Sequence, residues 1–400
     1  MGWPMVRLDS LYNIARGGSP RPIKDFITDD PEGVNWIKIG DATASGKYIY
    51  ETKEKIKPEG ISRSRLVKKG DFILSNSMSF GRPYIMGTDG CIHDGWLVLS
   101  AKDDSVEQNF LYHVLGSPFV FSQFDSLAAG STVRNLNIDL VSSVKIPLLP
   151  IPEQQRIVAI LDQAFADIEK VRANAERNLK NARELFDSYL NQVFSQRGEG
   201  WVEHKLVEVV DVIDSLHKTP KYSDTGYAMV RVTDIKPGAL DLSKTRKVCK
   251  ATYEEFSKRY KARVGDIVFS RVGSYGKSSI VTSNEPFCLG QNTVFLAPSM
   301  NGYYFYYFLN SPRAKEQIDN LVAGTTQPTV SLKSLKSLVI PIPAAEIQLK
   351  IVTELNHFSD EIGNLESIYK NKLSSLDELK QSLLQKAFSG ELTKTEEQAA

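Results

Sequence analysis

The chain has 400 residues, 42% of them hydrophobic and 24% charged, with 49 basic and 48 acidic side chains and a formal net charge of +1. This is the profile of a soluble globular protein of two or three domains, with no apolar run long enough to span a bilayer. Bulk electrostatic attraction to nucleic acid is excluded, so any such role needs a local basic face or partners that contribute charge.

Read in chain order, residues 1–151 are short strands separated by the turn signals Gly17-Gly18, Ser45-Gly46, Lys69-Gly70-Asp71 and Asp89-Gly90, with a helical patch at Asn109–Leu115. The opening Met-Gly-Trp-Pro-Met-Val-Arg lacks a signal-peptide layout. Pro150 and Pro152 then lead into one long helix, 152–198, closed by Gly198. The plan restarts at 199–343, with the turn Lys236-Pro237-Gly238 and a helical patch at Tyr303–Ile318. Pro341 and Pro343 precede a second long helix, 344–391, closed by Gly390 and followed by a tail, 392–400. Cys91, Cys249 and Cys288 are odd in number and widely spaced, which indicates neither a disulfide frame nor a zinc knuckle and fits a reducing cytoplasm.

The restart is a duplication. Gly2-Trp3 recurs as Gly200-Trp201, and "WIKIGD" (36–41) as "MVRVTD" (229–234). "KKGDFILSNSMSFGRPYI" (68–85) aligns with "RVGDIVFSRVGSYGKSSI" (263–280), and "AGSTVRNLNIDLVSSVKIP" (129–147) with "AGTTQPTVSLKSLKSLVIP" (323–341). "QQRIVAIL" (154–161) returns as "QLKIVTEL" (348–355), and Phe194-Ser195 as Phe388-Ser389. The order never changes and the offset stays between 193 and 198, as tandem copies with small loop insertions require.

Each long helix carries a heptad seam. In the second, Leu355, Ile362, Tyr369, Leu376 and Leu383 are seven apart, with Phe358, Leu365, Lys372, Leu379 and Lys386 interleaved in a 3-4 rhythm. In the first, Leu161, Ile168, Ala175, Ala182 and Tyr189 form one row, and Ala164, Val171, Asn178, Leu185 and Gln192 the other. A seam this narrow needs a partner helix, and two similar helices in one chain supply it for each other. At 1.5 Å per residue each would extend about 60 Å.

Catalytic signatures are weak. "RVGSYGKSS" (271–279) ends like a phosphate-binding P-loop, but Arg271 stands where that pattern needs glycine, and a β-branched run follows where it needs a helix. There is no Asn/Asp-Pro-Pro-Tyr/Phe and no glycine-rich dinucleotide fingerprint. Glu51-Thr52-Lys53 has the Glu-x-Lys form of some nucleases, but such tripeptides are common by chance. The five histidines show no metal-ligand spacing.

Three loop pairs carry binding chemistry instead. "ARGGSPRP" (15–22) offers Arg16, Ser19 and Arg21, and its counterpart "IDSLHKTPK" (213–221) offers His217, Lys218 and Lys221. "SNSMSFGRPY" (75–84) offers Asn76, Ser79 and Arg82, and its twin offers Arg271, Ser274, Tyr275 and Lys277. The third pair sets Arg134 against Thr326 and Gln327. Arginine forks suit guanine and glutamine amides suit adenine, while cations and hydroxyls also meet phosphates. On this basis Arg271 is the expected base reader of the second module.

"LPIPEQQRIVAILDQAFADIEKV", "IPIPAAEIQLKIVTELNHFSDEI" and above all "SLLQKAFSGEL" (382–392) resemble the type I restriction–modification specificity subunits over essentially the whole chain. The second copy departs by placing Glu346 two residues before Gln348, where Glu153 and Gln154 are adjacent. The resemblance implies an α+β protein: two similar mixed α/β target-recognition domains separated by two long antiparallel helices forming a coiled coil, with internal pseudo-twofold symmetry. Each domain would read half of a split double-stranded DNA target, and the helices would set the unread gap. Two modification subunits using S-adenosylmethionine would dock on the scaffold, and two restriction subunits would bring ATP- and Mg²⁺-dependent chemistry. This chain would be non-catalytic and hold no cofactor. The competing readings are a coiled-coil adaptor with two protein-binding modules and no DNA role, and an enzyme with an unrecognised site.

Overall fold

The computed structural model describes residues 3–76, 81–128, 135–195, 200–324 and 328–393. Two compact units emerge: Met1–Ala175 with Asn371–Ala400, and Glu176–Lys370. Each therefore holds one strand-rich domain together with a piece of both long helices, Ile151–Ser195 and Ala345–Ser389.

In the first unit two five-stranded sheets form the domain. One runs Tyr12–Arg16, Trp96–Ala101, Phe72–Ser75, Pro83–Met86, Tyr48–Ile49, and the other Ile27–Thr28, Glu54–Ile56, Val34–Ile37, Gly90–Ile92, Arg65–Val67. The second unit repeats both orders with four strands each: Val210–Asp214, Thr293–Pro298, Ile267–Ser270, Ser278–Ile280, and Tyr222–Ser223, Arg246–Val248, Tyr227–Val230, Phe287–Leu289. Strands such as Phe72–Ser75 and Ile267–Ser270 are buried at every position, three apolar residues followed by a buried serine in each. The expected mixed α/β architecture with two long helices holds.

Each domain meets its helices through one continuous core. In the first unit Phe110, Leu111 and Val114 pack with Ile157 and Leu161 of the first helix and with Leu384, Ala387 and Phe388 of the second; Phe388 meets Phe110 edge-on at 5.6 Å. In the second unit Phe194 fills the matching place, edge-on to Tyr304 at 5.4 Å and to Phe308 at 5.6 Å. The repeated Phe-Ser dipeptides are therefore the plugs by which one helix end enters each core.

The helix starts are locked by buried amides. Gln154, fully buried, accepts from the Glu107 N–H at 2.7 Å and donates to the Ser105 and Leu149 carbonyls at 2.9 and 2.7 Å. Gln348 accepts from the Asn301 N–H at 3.1 Å and donates to the Pro343 carbonyl at 2.9 Å. With Glu346 in place of an adjacent acid the amide lock is kept, by two bonds where the first unit has three. About two turns further on, His113 Nε2 lies 2.7 Å from an Asp162 carboxylate oxygen in the first unit, and Tyr307 donates its hydroxyl to Asn356 at 2.7 Å in the second.

Within each unit the two helices run antiparallel. In the first, Lys380 meets Glu169 at 3.5 Å and Arg172 meets Asp377. In the second, Arg183 meets Glu366 at 2.8 Å and Tyr189 meets Glu354 at 3.5 Å. The row Leu161, Ile168, Ala175, Ala182 is buried as expected, and so are Leu355, Ile362 and Leu376, with Leu383 packed on the core.

The other row is corrected. Leu185, Leu365 and Leu379 are 55%, 39% and 46% exposed, while Val171 is half-buried and Phe358 is retained at the seam by Phe186 and Tyr189. The inward row lies four residues on, not three: Phe165, Arg172, Leu179, Phe186, Val193 on the first helix and Ser359, Glu366, Leu373, Lys380, Ala387 on the second. Most of this row is apolar (Phe165, Leu179, Phe186, Val193, Leu373, Ala387), and its charged members Arg172, Glu366 and Lys380 each meet an opposite charge on the facing helix.

Candidate functional site

One backbone frame recurs at the same edge of both units. In the first, Gly17 N–H donates to the Trp96 carbonyl, Asn76 N–H to Gly95, and Leu136 N–H to Asn76. In the second, Ser215 N–H donates to Thr293, Arg271 N–H to Asn292, and Val330 N–H to Arg271. These bonds bring the first two predicted loops together and seat the segment beyond the third against them. By strand register Arg16 corresponds to Asp214, as each faces the second residue of its partner strand, Leu97 and Val294. It follows that Ser19 corresponds to His217, and Asn76 to Arg271.

In the first unit the candidates converge on Asp94, which follows the strand Gly90–Ile92. Its backbone carbonyl accepts from Arg16 Nε at 3.0 Å and Asn76 Nδ2 at 2.9 Å. Its carboxylate accepts from Ser19 at 3.0 Å and from Arg21 at 3.3 Å. The Ser19 hydrogen bond is the main cause holding the Asp94 carboxyl below its usual range, with His93 and Arg21 adding to it. Asn76 is buried; Arg16 and Arg21 are exposed and turn their remaining donors to solvent.

The second unit exchanges the charges. Asp214 takes the strand-end place of Arg16, and Arg271 the place of Asn76. Arg271 Nη2 lies 3.4 Å from Asp214 Oδ1, and His217 Nε2 lies 2.8 Å from Asp214 Oδ2. Arg271, expected as the reader of guanine, is only 8% exposed here, with its fork against Asp214. A guanidinium is buried here because Asp214 neutralises it, a pairing that a sequence separation of 57 residues conceals. Among the described residues, Arg271 Nε, Asp214 Oδ1 and Ser215 Oγ have no hydrogen-bond partner.

The following hairpin turn is organised by Ser270. Its backbone N–H donates to the Lys277 carbonyl at 2.9 Å, its hydroxyl to the Ser274 carbonyl at 2.6 Å, and its carbonyl accepts from Gly276 N–H at 3.0 Å. Gly276 at φ +77° and its twin Gly81 at φ +71° both use the left-handed region, which explains the shared aromatic–glycine–cation triplets. Ser274 and Lys277 are exposed at the turn. Tyr275 lies against the core, and its hydroxyl donates to the Asp319 carboxylate, which raises the phenol above its usual value. Arg82 is exposed with its guanidinium 5.1 Å from the Tyr84 ring. Lys221 is exposed, and Lys218 is held by Glu255 at 2.7 Å. Ser79, Arg134, Thr326 and Gln327 lie outside the described residues.

Sequence reasoning missed two features. Asp94 belongs to none of the three loop pairs, although His-Asp-Gly before a strand is a turn signal, and Asp214 lies inside one of them but is an acid among the cations sought there. The local charge was also missed. Residues 53–69 hold seven cations and two acids, and the equivalent stretch 244–263 holds eight and two. All but half-buried Lys55 are exposed. Each stretch abuts its cluster: Arg65 Nε reaches the Arg16 carbonyl at 3.4 Å, and Lys218 reaches Glu255. A window count along the chain would have found both. Among the described residues no group of three His, Cys, Asp or Glu side chains could hold a metal ion, and no helix is long and apolar enough to cross a membrane.

The family model described as type I restriction modification DNA specificity domain matches residues 1–177 and again 198–373. The specificity subunit of the type I restriction enzyme EcoBI from Escherichia coli is 24% identical over 98% of this chain and 86% of its own length. Among solved structures, a chain of a type I R-M system studied for complex assembly and conformational transition is 23% identical, with a TM-score of 0.79 over 98% of both chains. The HsdS subunit from Thermoanaerobacter tengcongensis is also 23% identical, with a TM-score of 0.57 over 98% of this chain and 97% of that one.

Proposed function

The chain belongs to the type I restriction–modification DNA specificity family, and from that membership we propose that its two clusters are the surfaces that read the two halves of its DNA target. A non-catalytic, bipartite DNA-recognition subunit needs two readers of one design and different content. The observation that carries the assignment is the exchange of side chains on a constant backbone: Arg16, Ser19 and Asn76 around Asp94, against Asp214, His217 and Arg271. Two readers of different half-sites account for polar side chains that differ at matched positions of one frame, some exposed (Arg16, His217) and some buried (Asn76, Arg271). Arg16, Ser19, Arg21, Asn76 and Arg82 serve the first half-site. Lys218, Lys221, Ser274, Tyr275 and Lys277 serve the second, with Arg271 behind them. Ser79, Arg134, Thr326 and Gln327 extend the same loops.

The basic stretches 53–69 and 244–263 supply phosphate contacts, which place the reader on the duplex without selecting sequence. They give a chain of net charge +1 the local field that DNA binding needs. The paired helices set the number of unread base pairs and carry two modification subunits, which bring S-adenosylmethionine. In the full assembly two restriction subunits add ATP- and Mg²⁺-dependent cleavage, in the cytoplasm.

The test is selection from randomised duplexes by the chain assembled with modification subunits, followed by affinity at several salt concentrations. Two short recognition elements at a fixed gap are expected. Replacing three exposed cations of one stretch by alanine should flatten the salt slope by about 0.9 per lost phosphate contact and leave the selected bases unchanged. An adaptor without a DNA role would select nothing.

A further inference from the structure

We propose that His217 is the base-reading residue of the second unit, with Asp214 and Arg271 as its positioning pair, and that the base it reads carries an exocyclic amino group in the major groove. This rests on the DNA-recognition reading above and assigns one position within it.

An ionised carboxylate only accepts hydrogen bonds. With Asp214 Oδ2 2.8 Å from His217 Nε2, the proton of a neutral imidazole sits on Nε2, and Nδ1 is left as an acceptor. The His217 side chain is 59% exposed, so that acceptor is available at the surface, while the Asp214 side chain is only 17% exposed. The ring is therefore outside and its carboxylate inside.

Arg271 completes the arrangement. A bare carboxylate behind a DNA-facing ring would repel phosphates and pay a desolvation cost. Arg271 Nη2, 3.4 Å from Asp214 Oδ1, neutralises it from the protein side. The Arg271 backbone is held on both sides, by the Asn292 carbonyl at 3.0 Å and the Val330 N–H at 2.9 Å. The charged residues that follow His217 in the loop are Lys218, held by Glu255, and exposed Lys221. In the first unit the matched residue, Ser19, also bonds a carboxylate, that of Asp94. The two units therefore keep a polar group on a carboxylate at this place and vary the group.

An imidazole acceptor facing the groove matches the N6 amino group of adenine or the N4 amino group of cytosine, and finds no donor on guanine or thymine there. A wrong base at one position of a protein–DNA site costs about tenfold at the low end of the measured range, and loss of this contact is expected on that scale.

The experiment is a randomised-duplex selection with the assembled complex, comparing wild type with His217→Ala, Asp214→Asn, Arg271→Ala and Arg271→Lys. Wild type should select adenine or cytosine at one position of the second half-site. His217→Ala should lose that preference about tenfold and leave the first half-site intact. Asp214→Asn and Arg271→Ala should weaken the same position, and Arg271→Lys should restore part of it. Because His217 is mostly exposed, its alanine variant decides the matter even if the buried variants fail to fold. An unchanged base preference in His217→Ala overturns the proposal, as does loss of preference for guanine or thymine. If wild type itself selects no sequence, the recognition reading fails, a different result from either.

Discussion

Replacing Gln154 by alanine isolates the corner where the first domain meets its helices. The amide is fully buried and serves three backbone groups: the Glu107 N–H and the Ser105 and Leu149 carbonyls. Alanine leaves all three without that partner inside the protein. One of the three bonds is buried and two are partly buried, so at about 1 kcal/mol for each group left unmade the expected loss reaches at most about 3 kcal/mol. For a unit of roughly 200 residues, 1 kcal/mol moves the midpoint about 2–4 °C, which predicts a fall of at most about 6–12 °C. Trp36 and Trp96, both buried in the first unit, report its melting by fluorescence. Gln155→Ala is the control, because the same substitution at the next residue of the same helix falls on an exposed side chain. It should change stability by less than about 0.5 kcal/mol. Gln348→Ala, which breaks two bonds, should cost the second unit less than Gln154→Ala costs the first. If Gln154→Ala and Gln155→Ala melt within 2 °C of one another, on an assay resolution of about that size, the hydrogen-bond argument is refuted.

Gly363 lies inside the second long helix with open space where a Cβ would stand, so Gly363→Ala should stabilise the second unit by about 0.5–1 kcal/mol in urea denaturation. The Glu366 carboxyl is depressed to about 2 by hydrogen bonds from Arg183 and Lys370. Its contribution is therefore complete above the unfolded carboxyl range, near pH 4.5, and is lost as pH falls through about 2. Arg183 is half exposed, so the gain over Glu366→Gln should stay below about 1 kcal/mol at pH 6 and vanish toward pH 2 in paired melts. Cys249 is exposed and its thiol is lowered by hydrogen bonding to Thr252, whereas burial pushes buried Cys288 up to about 12. A maleimide should therefore label Cys249 first in the folded chain, and cognate duplex should slow that labelling, since Cys249 sits within the basic stretch 244–263. Equal labelling with and without DNA would remove that stretch from the interface.

Much of the chain could be read without coordinates, because the signals were local. The proline-opened helices, the turn glycines and the tandem copies all follow from residue type and spacing, and "SLLQKAFSGEL" carried the family. The Phe-Ser repeat at 194 and 388 was also legible, though not its purpose. Three matters were decided only by tertiary structure. The helical seam admitted a second row three or four residues on, since leucines such as Leu185, Leu365 and Leu379 favoured the first choice on hydropathy alone. The other is the row that packs Phe165, Leu179, Phe186 and Leu373, with Asp377, Glu169 and Arg183 meeting its charged members. The direction of Arg271 depended on Asp214, a residue distant in sequence and brought near by strand pairing. The make-up of each compact unit did not follow the repeat, since each takes a piece of both helices. Periodicity along a chain states that a face must be buried, but the partner that buries it is set by which segments the fold brings together.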